Sequence, residues 1–239
     1  VQTKDAQTAS GTSLGVSLTA VGAGNHLYAA TIVGSGGTTV TGDLLIPTST
    51  PSATWSNAVA AFVPNGATGD CGMRADYSEN VASGSWTVTA HANATREITA
   101  IVSESSGVLT SLSIGAVNHG IAATSGTTIA TGSITPAAGS ILYTSICDNG
   151  GTTTAGTIDN SFVVSSDATA WNGANQRAGT AHKDNVANSA VNPTWTVPSV
   201  TQRGALIAEF KVAAGGFDPS VLPWPVPLTE TVQSGLVEF

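Results

Sequence analysis

The residues in this sequence that could do chemistry are scattered acids, four histidines, two cysteines and a small set of aromatics. Asp70, Asp76 and Glu79 lie in the first half, and Asp148, Asp159, Asp167 and Asp184 in the second. A glycosidase needs two carboxyls a few ångströms apart, but acids in β-rich chains mostly occupy solvated turns and strand ends, and no spacing here singles out a pair. Glu104 and Glu209 fall near the ends of similar apolar runs, where the alternation puts Glu209 and Lys211 together on an exposed strand face as a weak ion pair. His26, His91, His119 and His182 lack the spacings of a metal site. Asp148-Asn149 and Asp159-Asn160 lack the acidic ladder of a calcium loop and read as turns. Gly34-Ser35-Gly36-Gly37 has the glycines of a phosphate loop without its lysine or a following helix, so a hairpin turn is expected. No nucleophile elbow occurs, and Asn93-Ala94-Thr95 is only a short sequon. The expectation is a chain with no catalytic residues, no cofactor and no metal.

The aromatics raise a different chemistry, the stacking of sugar rings. Trp55, Trp86, Trp171 and Trp195, with Tyr28, Tyr77 and Tyr143, are the candidates. Trp86 and Trp195, and likewise Tyr28 and Tyr143, sit in matching sequence contexts, which favours core packing; Trp55 and Trp171 are freer to face a glycan. Cys71 and Cys147 are too few for a disulfide framework, and two buried free thiols are the favoured reading over one disulfide.

Composition narrows the partners. Charged residues make up 9% of the 239, against roughly 25% in an average soluble domain. The seven basic residues, Lys4, Arg74, Arg96, Arg177, Lys183, Arg203 and Lys211, form no cluster and the net charge is −8, which argues against nucleic acid and an anionic membrane surface. No apolar run approaches the roughly 18 residues of a membrane span. No leader pattern opens the chain, so a signal peptide is expected to be absent or already removed, and Val1 fits removal of an initiator Met. Low charge also suits a surface partly covered by neighbours.

The elements that must position these residues are strands. Leu14, Val16, Leu18 and Ala20 alternate within 13–21, and further strands are expected at 26–33, 38–45, 53–63, 71–77, 85–91 and 97–103. Others are expected at 127–134, 141–147, 161–165, 194–197 and 205–212, with no helix. An internal repeat organises them. Gly24-Asn25-His26-Leu27-Tyr28 recurs as Gly139-Ser140-Ile141-Leu142-Tyr143, and Gly11-Thr12-Ser13-Leu14 as Gly126-Thr127-Thr128-Ile129, both at an offset of 115 (24 to 139, 11 to 126). Asn80-Val81-Ala82 matches Asn185-Val186-Ala187, and Ser85-Trp86-Thr87-Val88 matches Thr194-Trp195-Thr196-Val197. The expected fold is all-β: two related, closely packed antiparallel β-sandwich (jelly-roll-like) units at 1–107 and 126–215, a connector at 108–125 and an extended Pro-rich arm at 216–239. Prolines 219, 223, 225 and 227 exclude helix and central strand from the arm, yet it is apolar. Phe217, Val221, Leu222, Trp224, Val226, Leu228, Val232, Leu236 and Phe239 are the candidate subunit-interface residues.

The opening Val1-Gln2-Thr3-Lys4, the Thr-rich strand after it, and Tyr77-Ser78-Glu79-Asn80-Val81-Ala82-Ser83-Gly84-Ser85-Trp86-Thr87-Val88-Thr89 resemble a diffuse family of β-sandwich virion proteins encoded by phages and prophages. The resemblance spans about residues 1–215 and rests on strand patterns. It implies a capsid decoration (cement) protein on the outer surface of a tailed-phage virion, with the major capsid protein or other virion subunits as partners. A homo-oligomer is expected. The alternative is a glycan-binding adhesion module on a virion or cell surface.

Overall fold

A computed structural model describes residues 2–34, 43–63, 71–148, 154–165, 176–200 and 202–213. The interface candidates from Phe217 to Phe239, and also Asp70, Asp167 and Trp171, lie outside the described residues. The fold is all-β, with antiparallel sheets, none closed into a barrel, and no helix among the described residues. The strands are β1 (Gln2–Val21), β2 (Asn25–Gly34), β3 (Leu44–Thr50), β4 (Ser56–Val63), β5 (Cys71–Val81), β6 (Gly84–Ser105), β7 (Ile114–Ala122) and β8 (Gly126–Ala130). They continue with β9 (Ile141–Asp148), β10 (Thr157–Ile158), β11 (Val163–Val164), β12 (Arg177–Lys183), β13 (Thr194–Val200) and β14 (Arg203–Phe210).

The strand order repeats. In the first half β1-β6-β2-β5-β4 run side by side and β3 joins β6; in the second, β7-β14-β9-β12-β11 form one sheet and β10-β13-β8 another. Long β1 thus corresponds to β7 followed by β8, and long β6 to β13 followed by β14. The registers agree residue by residue. Leu27 faces Glu104 on one side and Ser78 on the other, as Leu142 faces Glu209 and Lys183. Trp86 faces Leu18 as Trp195 faces Ile129. The Leu27/Leu142 and Trp86/Trp195 pairs therefore stand on corresponding strands. The Gly-Thr openings do not keep their expected offset, because Leu18 is the counterpart of Ile129 (18 to 129, an offset of 111). Each half repeats one corner: Gly24 (φ 77°) donates to Val81 O and Gly139 (φ 83°) to Val186 O, both at 2.8 Å, beside the left-handed Asn80 and Asn185. A left-handed backbone favours Gly and Asn.

Three apolar cores explain which strands alternate and which do not. One lies within the first half, around Leu18, Leu27, Trp55, Trp86 and Val88. A second lies within the second half, around Ile129, Leu142, Phe162, Trp195 and Ile207. The third joins the halves, with Tyr28, Ile32 and Met73 on one side and Tyr143, Leu206 and Phe210 on the other. The strands between two cores are covered on both faces, so β9 and β14 are buried throughout and β2 in all but its first residue. Their sequences accordingly show no apolar/polar alternation, and their polar members, such as Thr31, Ser145 and Glu209, are buried too, whereas β1 alternates only near Val16 and Leu18. A register shift between Leu18 and Val21 sends Ala20 (φ 56°) outward and turns Val21 inward, against the simple alternation.

Several elements depart from expectation. The 108–125 segment holds β7, the edge strand of the second large sheet, rather than serving only as a connector. Strand β12 was not expected. The expected strands at 85–91 and 97–103 are one continuous β6. Residues 43–50 supply β3, whose Pro47 sits at a register shift on an edge strand, where a missing N–H is tolerated.

Candidate functional site

The seam between the halves is built from matching positions meeting one another. Tyr28 and Tyr143 stack at 4.5 Å, nearly parallel. Tyr28 bonds Ser145 Oγ at 2.7 Å, and Tyr143 bonds Ser105 Oγ. The edge contact of Tyr28 with Phe210 has its counterpart in Tyr143 with Ser105, since Phe210 and Ser105 close corresponding strands. Burial raises both phenols above their ordinary pKa and keeps them neutral. Cys71 is disulfide-bonded to Cys147, with Cα atoms 6.3 Å apart. This corrects the expectation of free thiols: the two cysteines are distant in sequence but directly opposed across the seam. The counterparts of Cys71 and Cys147 are Gln176 and Ile32, and these also meet, Gln176 Nε2 donating to Ile32 O at 3.2 Å. Such reciprocal contacts are the signature of a two-fold, isologous interface, here within one chain.

His26 closes one end of the seam. It is 1% exposed, 4.2 Å from the Phe210 ring and 5.7 Å from the Tyr77 ring. Neither ring nitrogen has a hydrogen-bond partner among the described residues. Burial lowers its pKa from 6.5 to about 3, so it packs as a neutral aromatic.

Among the described residues, the acids that could have formed a catalytic pair each have their own partners. Asp76 binds Arg74 Nε at 2.7 Å; burial outweighs that partner and raises its pKa. Asp148 pairs with Arg177 at 2.7 Å, both side chains fully buried, and burial raises its pKa to about 6. Glu79 accepts from Ser113 N at 2.6 Å. Asp159 fixes its own turn through Asn160 Nδ2 and Thr194 N, both 2.7 Å. Asp184 is exposed, 3.9 Å from His182. Glu209 overturns its expected exposed ion pair with Lys211. It is 2% exposed and accepts from Ala116 N, Ala137 N and Ser140 Oγ, each at 2.7 Å. Its counterpart Glu104 accepts from Gly22 N at 2.7 Å and Asn25 Nδ2 at 2.6 Å. Both glutamates pin the turn that leads into a central strand, a role that two acids at matching strand ends could have suggested.

The histidines likewise stay apart. His91 Nε2 lies 2.8 Å from Thr48 Oγ1, and His119 is on the exposed face of β7. No cluster of metal-ligating side chains occurs among the described residues. The aromatic platform expected of a glycan site is missing at Trp55, which is 7% exposed with Nε1 donating to Ser49 Oγ at 3.1 Å. Trp86 and Trp195 are buried, donating to Ala82 O and Thr144 Oγ1, both at 2.9 Å.

One open recess is formed by described residues at the Asn80 corner. It measures about 440 Å³ and is lined by Ser52, Thr54, Ser78, Glu79, Asn80 and Trp86, among others. A second recess of about 280 Å³ adjoins it, sharing Thr54, Glu79 and Asn80 and adding Ser56, Tyr77 and Thr110. The pair form a shallow, hydroxyl-rich cleft with one carboxylate and no cation among its described lining. Nothing in the sequence marks it, because its residues come from three separated segments, around 52–56, 77–86 and Thr110, whose meeting no spacing predicts. Comparison with protein-family models, with curated proteins and with solved structures finds no match to this chain.

Proposed function

We propose that this chain is a structural, non-catalytic component of a tailed-phage virion, a capsid decoration or cement protein on the outer surface of the particle. In this reading the two halves are related antiparallel β-sandwiches, jelly-roll-like and packed large sheet to large sheet. The arm at 216–239, with Trp224 at its centre, anchors the protein to the major capsid protein, to other virion subunits or to further copies of itself. The observation that carries the reading is how the buried polar groups are used. Every buried carboxylate among the described residues, Asp76, Glu97, Glu104, Asp148 and Glu209, accepts a hydrogen bond or ion pair that fixes the fold. Spent in this way, each of them holds a strand or a turn in place. The resemblance of residues 1–215 to phage β-sandwich proteins and the low charge of the chain support the same conclusion.

The test is recombination with particles. Purified particles from the source phage should contain the chain by mass spectrometry, and particles stripped of it should rebind the full recombinant protein. A variant lacking 216–239 should stay folded and fail to rebind. Absence of the chain from purified particles, or unchanged rebinding of the truncated form, would overturn the proposal.

A further inference from the structure

The two halves carry the same corner, but one copy is filled and the other is open. Ser56 faces Tyr77 as Val163 faces His182, so Ala53 stands where Asn160 stands (56 to 163 and 53 to 160, an offset of 107). Ser78 stands where Lys183 stands, each opposite the matching leucine of β2 or β9. In the second half Lys183 lies across this corner. Its ammonium donates to Asn160 O at 2.7 Å and sits 5.9 Å from the centre of the Phe162 ring. In the first half the lysine is replaced by Ser78, which is 2% exposed and lines the open recess.

We propose that the open cleft at Ser78 and Glu79 is a docking site for the lysine side chain of a protein partner. The first argument is shape. The recess occupies the place that a lysine of this same chain takes in the second half, and Ser78 frees the volume of its stem. The second is charge. Glu79 lines both recesses, and no Lys or Arg lines either among the described residues. An entering ammonium therefore meets a carboxylate with no competing cation. The third is hydrogen-bonding capacity. Ser52, Thr54, Ser56 and Thr110 offer hydroxyl oxygens around the carboxylate, and an ammonium has three N–H groups to satisfy. Net charge of −8 adds a long-range attraction for basic partners. The inference stands apart from the virion reading, because any protein presenting a lysine could use the site.

The test is a titration of the full, isotope-labelled chain followed by amide NMR. The probe is Nα-acetyl-lysine methylamide; Nα-acetyl-norleucine methylamide, with the same stem but no ammonium, is the control, and glucosamine supplies a sugar-borne ammonium. Saturable shifts at Ser78, Glu79 and Asn80 are expected with the lysine probe alone, weakening as salt is raised. Glu79→Gln keeps an acceptor for Ser113 N, so it should fold normally, and it should weaken binding about tenfold or more. Ser78→Lys should fill the cleft from within and abolish binding. If that variant does not fold, the Glu79→Gln comparison decides. The proposal is overturned by equal shifts with the norleucine control, by preference for glucosamine, by no saturable shift, or by undiminished binding to Glu79→Gln.

Discussion

The two halves solve one topological problem in different ways. Each must carry its chain from a five-strand layer into a smaller one that covers a private core. In the first half β1 and β6 make the crossing unbroken, pairing from Gln2–Glu104 to Val21–Gly84 with register shifts on the way. The residue at the crossing is Ile98, fully buried among other apolar groups. In the second half both strands break, giving β7 and β8, then β13 and β14. There the counterpart of Ile98 is Arg203, whose Nε donates to Thr128 O at 2.7 Å and Nη1 to Thr124 O at 2.8 Å. A broken ladder leaves carbonyls without their strand partner. The guanidinium meets that need, so continuity and an arginine are alternative answers to the same break. Buried ion pairs differ too: Asp148 and Arg177 replace Val33 and Gly72, while Arg74 and Asp76 give way to Gly179 and Ala181.

The strongest way to break this comparison is to remove the acid of the buried ion pair from each half in turn. Asp148→Ala removes one partner of a fully buried ion pair and should cost about 3–5 kcal/mol. Asp76→Ala should cost distinctly less, because the Arg74 side chain is 15% exposed and can turn to water. Urea unfolding of the two variants measures the difference, and equal losses would refute the distinction. Replacing Cys71 and Cys147 together by Ser removes the covalent tie across the seam and should cost about 2–4 kcal/mol. Calorimetry of the variant, alongside wild type with and without reductant, checks it.

Acid separates the halves in the opposite sense. His26 has a folded pKa near 3 against 6.5 unfolded, so its contribution is complete above pH 6.5 and is lost as pH falls towards 3. Asp148 has a folded pKa near 6 against 3.8, so its contribution is complete below 3.8 and is lost as pH rises through 6. Each slope approaches about 1.4 kcal/mol per pH unit, and they oppose one another in the overlap. Wild-type stability should therefore vary little between pH 4 and 6 on account of these two groups. His26→Leu should become more stable on acidification through that range and Asp148→Asn less stable, as read from unfolding midpoints against pH. A smaller effect is expected from Arg203→Ile, which installs the first-half residue without the first-half strands. It should lose about 1–2 kcal/mol with the two hydrogen bonds to the Thr124 and Thr128 carbonyls. The reverse exchange, Ile98→Arg, buries a charge with no broken ladder to serve and should be the worse of the two.

Strands β2, β9 and β14 are legible in the sequence because both their faces are covered, so apolar residues fall on both faces and outnumber the few buried polar ones. The repeat was legible where it fixes backbone conformation, at the Gly24/Gly139 turns and the Asn80/Asn185 corners. Strand β7 was hidden by small residues whose purpose lies elsewhere in the chain: a side chain at Gly115 would strike Glu209, and one at Gly120 the Ala130 carbonyl. Strand β12 was hidden because Arg177 and Lys183 look like surface residues, although Arg177 is fully buried against Asp148. Glu209 is buried rather than exposed because strand alternation says which way a side chain points and not whether that side is covered by the Ala137–Ser140 turn. The open cleft was not legible at all, since it exists only by contrast with its filled twin.

The reciprocal seam has a consequence for how this molecule meets dilution. Two separate copies joined by contacts of this kind would dissociate as their concentration fell, and their stability would depend on it. Placing both partners in one chain replaces that dependence with a fixed effective concentration set by the link between them. The unfolding midpoint of the chain should then not move with protein concentration. The Cys71–Cys147 bond gives the halves a second tether, independent of the backbone. A protease cut near Leu112, which is 82% exposed, should leave the halves travelling together in gel filtration until unfolding and reduction are combined.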